Sequence, residues 1–160
     1  MSVARPSAAR GTSPASSVPS ADGLLGAVAP FGEPLIRATI GLFLVPHGAQ
    51  KLFGWFGGHG LEATGQFFAA KLGLPPSMAL AAGLIEVVGG LALAAGLFTR
   101  IAAALVAGLM AVAVFKVHLG AGFFWTSGGI EYPAMWGLVA LAFVLQGGGR
   151  YSLDALVARR

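Results

Sequence analysis

The chain has 160 residues, one domain by length, but 56% are hydrophobic, 10% are charged and the mean hydropathy is +0.80, which excludes an ordinary soluble domain and indicates an integral membrane protein. Its net charge of +4 does not signal nucleic acid, because the basic residues are scattered over helix ends and form no stripe with aromatic partners. The lack of any cysteine excludes disulfides, thiol chemistry and sulfur-ligated metal.

Residues 1–30 are rich in Ser, Pro, Ala and Gly, with Arg5 and Arg10 but no sustained apolar period. A disordered tail is expected there. No apolar run of roughly 7 to 15 residues follows the early arginines, so a cleavable signal peptide is not expected. A four-span bundle is expected over 31–149, with spans at about 34–53, 77–98, 101–119 and 131–146. Each is close to the ~20 residues that cross a bilayer.

The first span ends in Val45-Pro46-His47-Gly48-Ala49-Gln50-Lys51-Leu52-Phe53. On a helix His47, Gln50 and Lys51 fall at i, i+3 and i+4 and share a face. Pro46 lacks an N–H for the Leu42 carbonyl and is expected to kink the helix. Two readings stand for the cluster. In one, Lys51 reaches the headgroups from a frayed helix end while His47 bonds a neighbouring helix; in the other, the cluster is a site.

Gly54 to Gly60 breaks the helix, with Trp55 and Phe56 suited to the membrane interface and His59 a solvated loop residue. Leu61 to Leu72 carries Leu61, Gly65, Phe68 and Leu72 on one side and is expected to be a short interfacial helix. The second span holds Glu86 near its midpoint, where a carboxylate is costly and needs a partner or a proton. Ala79, Ala82, Gly83, Gly89, Gly90 and Ala94 share its face. Residues this small let helix backbones approach closely.

Gly96 to Arg100 reads as a tight turn that makes spans two and three antiparallel neighbours. In span three Ala104, Ala107, Ala111 and His118 are expected inward, opposite a stripe of Leu105, Leu109, Val112 and Lys116. Lys116 then serves as an interfacial anchor. The Gly120–Gly129 loop carries Phe123, Phe124 and Trp125. Glu131 opens the fourth helix, where a negative charge also suits the helix dipole. The apolar run after it is short, so the span must borrow residues 130–133 and Gln146. Residues 150–160 form a polar tail.

With four spans the termini share a side, which would hold Arg5, Arg10, Arg37, Arg100, Arg150, Arg159 and Arg160; the other side holds Lys51, Lys71 and Lys116. The positive-inside rule places both termini in the cytoplasm. His47, Gln50, Lys51, His118 and Glu131 then gather in the outer half of the bundle, with Glu86 as their floor. Ionisable residues inside a membrane are a site hypothesis by default. No metal is expected, because His47, His59 and His118 show none of the local spacings of metal motifs.

The segments His47-Gly48-x-x-Lys51-Leu52-Phe53-Gly54, Gly83-Leu84-x-Glu86-x-x-Gly89-Gly90, Gly96-Leu97-Phe98-Thr99-Arg100, His118-x-x-x-Gly122-Phe123-Phe124 and Gly128-Gly129-x-Glu131-Tyr132 resemble the DoxX family of small bacterial four-helix membrane proteins. The resemblance covers about residues 34–156, with Pro46 where a bulky residue is expected. It implies an all-α bundle in the bacterial inner membrane with a short interfacial helix between spans one and two. It also implies a link to quinone-coupled oxidation of sulfur compounds or to oxidoreductase assemblies that handle oxidative stress.

On that footing the chain is expected to be a quinone-interacting accessory subunit, at most part of an enzyme. His47 or Lys51 would donate to a quinone carbonyl and His118 or Glu86 would relay protons. No covalent cofactor is expected, so a protein partner would carry the redox centre. A homo-oligomer is open, since Gly and Ala faces permit one. The alternative is a non-enzymatic scaffold or small-molecule conduit in which Glu86 and the basic groups set packing; a transporter is weaker, because no internal repeat is visible.

Overall fold

The computed structural model describes residues 21–159. Ala21–Val28 forms helix α1. The disordered tail expected over 1–30 is therefore corrected from residue 21 onward; residues 1–20 lie outside the described residues. Ala21 to Val28 contains no proline, and its 8 residues make about two helical turns.

From Phe31 the described chain is a bundle of four main helices. The first, α2, is Gly32–Phe53, 22 residues. It runs through Pro46 without a break in its assignment and stops at Gly54, which takes φ +72°. Next comes α3, Gly60–Phe67, which continues as a π turn over Phe68–Leu72. The next two long helices are α4, Met78–Ala95, and α5, Thr99–Ala121. Then follow α6, Glu131–Gln146, and a short α7, Leu153–Val157. Among the described residues three helices, those ending at Phe53, Ala95 and Ala121, are long and apolar enough to cross a membrane. Helix α6 has the limits expected of the fourth span, but its 16 residues give about 24 Å at 1.5 Å per residue, less than the ~30 Å hydrocarbon core.

Helices α2 and α4 cross through glycine. A Cβ on Gly41 would run into the Gly90 carbonyl oxygen and stand 2.7 Å from the Ala94 nitrogen. One on Gly48 would lie 2.7 Å from the Gly83 carbonyl. The small face expected on span two is the face used: Ala79, Ala82, Gly83, Glu86, Gly89 and Gly90 are buried. On α5 the buried stripe is Ala102, Ala103, Val106 and Met110, which packs with Ala140 and Phe143 of α6. The row expected inward at Ala104, Ala107 and Ala111 is not this packed stripe: Ala107 is half-buried, Ala111 is exposed, and Ala104 is open to the cavity described below. Small residues occur on every side of this helix, so size did not mark the packed face. A π turn over Ala113–His118 also shifts the register between the two ends of α5.

One end of the bundle is locked by polar groups. Arg37, 2% exposed, donates to the carbonyls of Leu93 and Ala94 at 3.1 Å and of Tyr151 at 2.6 Å. It thereby closes the C-terminus of α4, where backbone carbonyls lack helical partners. Glu33 lies 3.5 Å from its Nε. The turn after α4 needs left-handed backbone at Gly96 (φ +70°) and at Phe98 (φ +46°). Phe98 is held there by Asp154, whose carboxylate accepts from the amides of Phe98 at 2.7 Å and Thr99 at 2.9 Å.

Partial desolvation pushes the Asp154 carboxyl up, but hydrogen bonding from Thr99 and Phe98 and the nearby Arg37 charge outweigh it, so it sits below the ordinary carboxylate range. Its stabilisation is then present above the unfolded value of about 3.9 and is lost as pH falls through the lower folded value. Thermal unfolding of the wild type and Asp154→Asn should therefore differ at neutral pH and converge in strong acid. A gap independent of pH would show that the charge of Asp154 does not hold the turn.

Candidate functional site

The last turns of α2 and the middle of α4 meet over the other half of the bundle. Lys51, in the last turn of α2, reaches across to Glu86, and its Nζ lies 2.7 Å from both Oε1 and Oε2. The Lys51 side chain is 26% exposed and that of Glu86 6%. Helix α4 relaxes into a π turn over Ile85–Gly89 around the carboxylate, a distortion common at functional sites. A third, longer contact of 3.4 Å runs from Lys51 Nζ to the His47 carbonyl. Glu86 thus has its partner, and Lys51 is aimed into the protein, against the reading that sends it to the headgroups.

Beside this pair lies a cavity of about 1100 Å³. His47, Lys51, Glu86 and His118 line it, and nearly everything else on its walls is apolar. Helix α3 and its π turn supply Thr64, Phe67, Phe68 and Leu72, α5 supplies Ala104 and Gly108 among others, and α6 supplies Tyr132 and Trp136. The α3 wall is anchored where Gly65 packs against Pro76, a Cβ there standing 3.2 Å from the proline. Sequence reasoning placed this helix on the membrane surface and missed its role as a wall. The signal was present in Thr64, Phe67, Phe68 and Leu72, at i, i+3, i+4 and i+8.

The six candidate residues part into two groups. His47, Lys51, Glu86 and His118 share the cavity, whereas Gln50 and Glu131 do not line it. Gln50 donates to the Phe56 carbonyl at 3.1 Å and fastens the loop after α2. Glu131 accepts from the Trp125 amide at 3.0 Å and fastens the Gly-rich loop before α6, where Trp125 also stacks on Tyr132 at 5.4 Å. Each holds a loop, and neither lines the cavity. The shared-face argument could not see that each carries a backbone partner close in sequence.

His118 is half-buried and its Nδ1 lies 2.6 Å from the Gly128 carbonyl oxygen. A carbonyl only accepts, so Nδ1 carries the proton and Nε2 of the neutral ring is an acceptor. His47 is exposed toward the cavity side. Lys116 is exposed. Among the described residues no three His, Asp or Glu side chains gather to hold a metal ion.

The arrangement combines an apolar chamber with a neutral ion pair, a hydrogen-bond donor or acceptor at His47 and an oriented acceptor at His118. Such a chamber suits a flat apolar molecule with polar oxygens.

Comparison with known proteins gives three findings. The model of the family described as DoxX matches residues 33–119. The chain is 33% identical over 126 residues to a protein of Bacillus subtilis (strain 168) that bears the name "Putative oxidoreductase CatD", covering 79% of this chain and 87% of that one. It is 34% identical over 128 residues to an uncharacterized protein of Haemophilus influenzae, covering 78% and 90% of the two. No solved structure matches.

Proposed function

This chain belongs to the DoxX family, and on that premise we propose that it is a quinone-interacting accessory subunit of an inner-membrane oxidoreductase. The single observation that carries the reading is the cavity of about 1100 Å³ whose apolar walls converge on His47, Lys51, Glu86 and His118. The oxidoreductase in the name of the Bacillus subtilis relative supports the redox half of it.

A bound quinone supplies two-electron, two-proton carrier chemistry. The residues fit such a group. His47 faces the cavity with its ring available to a carbonyl or hydroxyl oxygen, and His118 offers Nε2 as an acceptor because Nδ1–H is held by Gly128. The Lys51–Glu86 pair fixes the polar end and leaves the third ammonium hydrogen only a long contact to the His47 carbonyl. Phe67, Phe68 and Trp136 line the cavity and give a flat ring apolar faces to lie against. Electrons must come from a protein partner, since the chain has no thiol and no attachment motif for flavin or haem.

The test uses Trp136, which lines the cavity, as a reporter in a Trp55→Phe, Trp125→Phe background. Titrating a short-tailed quinone into the protein in lipid nanodiscs should quench its fluorescence saturably. His47→Ala should weaken binding about tenfold, the loss of one good hydrogen bond or about 1.4 kcal/mol. Quenching that never saturates, or is unchanged in variants lacking both His47 and Glu86, would reject the quinone and leave a scaffold whose polar groups only set packing.

A further inference from the structure

The opposite end of the bundle holds a second, smaller feature. A groove of about 410 Å³ lies between the end of α4 and the C-terminal segment, lined by Ala95, Arg150, Tyr151, Leu153, Leu156 and Arg159, with Ser152 at its base. Arg150 and Arg159 are both exposed. Among the described residues neither forms an ion pair. The nearest acid in sequence, Asp154, has its carboxylate turned away to the amides of Phe98 and Thr99, so it does not neutralise them. The Arg150 guanidinium lies over the Tyr151 ring at 5.4 Å from its centre.

Two further observations fix the depth of this groove. The Asp154 amide donates to the Gly96 carbonyl at 2.8 Å, tying α7 to the turn that joins two membrane-spanning helices. Helix α7 therefore sits at the bilayer boundary. It also turns Leu153, Leu156 and Val157 outward, at 41%, 57% and 66% exposure. An apolar face flanked by arginines at that depth matches a helix lying in the headgroup region.

We propose that Arg150 and Arg159 bind the phosphate of an anionic phospholipid, with Leu153 and Leu156 against its upper acyl chain. Two unpaired cations on an apolar floor complement one phosphate diester and its chain. The bound lipid ties the C-terminal segment, and through Asp154 and Arg37 the ends of α2, α4 and α5, to the charged leaflet.

The experiment is native mass spectrometry of the full chain released from nanodiscs holding phosphatidylcholine and phosphatidylglycerol, with far-ultraviolet circular dichroism to verify helicity. The wild type should retain phosphatidylglycerol over phosphatidylcholine by about 30-fold, each arginine carrying about a factor of five. Arg150→Gln or Arg159→Gln should each lose that factor and the double variant nearly the whole preference. Lys71→Gln with Lys116→Gln removes as much charge elsewhere and should lose none. A preference that survives in the double arginine variant, or falls equally in the lysine variant, overturns the site. Full displacement by millimolar inorganic phosphate also overturns it, because the groove would then take a free anion and not a lipid.

Discussion

Glu86→Gln or Lys51→Met alone should destabilise the bundle by about 3–5 kcal/mol, the range for breaking a buried ion pair by removing one member. Each substitution leaves the surviving charge, an ammonium at the end of α2 or a carboxylate at the midpoint of α4, without the partner now 2.7 Å away. Removing both, as in Lys51→Met with Glu86→Leu, takes away two desolvation costs together and should recover most of the lost stability. It should not recover the proposed quinone binding, because the polar end of the cavity is gone. Unfolding in a titration of denaturing detergent separates these terms. Single variants as stable as the wild type would mean that the pair is hydrated, and a double variant no better than either single would mean that packing, not charge, is lost.

Gly41→Leu should prevent α2 from seating on α4. A Cβ at position 41 already meets backbone, the Gly90 carbonyl and the Ala94 nitrogen, and no rotamer of the new side chain can relieve a backbone contact. Even Gly41→Ala should lose about 1–3 kcal/mol to overpacking. Gly108→Ala is the control, because a Cβ there meets nothing within 4 Å; it should be neutral or slightly stabilising through helix propensity. Equal unfolding midpoints for Gly41→Ala and Gly108→Ala would contradict the close crossing.

The fold was legible because its signals are long-range averages. Apolar runs bounded by Gly54, Gly96 and Gly147, each with positive φ, mark where helices stop. The small face of α4 stood out because Glu86 among Ala and Gly gives a clear reference direction. On α5 no such marker exists: Ala103 and Val106 lie in the core, whereas Ala104 lines the cavity. The sequence marks His47, Lys51, Glu86 and His118 as intramembrane polar residues, and all four line the cavity. What the sequence could not supply was pairing. Lys51 and Glu86 are 35 positions apart, and only the crossing of α2 on α4 brings them together. Arg37 was read as a topology signal, yet its three carbonyl partners come from distant segments. Gln50 and Glu131 bond instead to backbone close in sequence, and backbone carbonyls and amides leave no trace in side-chain patterns.

The measurement that bears most directly on the central claim is mass spectrometry of lipids and small molecules co-purifying with the protein, extracted gently from its native membranes, for the wild type and for Glu86→Gln. The wild type should carry about one quinone per chain and the variant several-fold less. A wild-type bundle that carries no quinone and takes up none when it is added would contradict it.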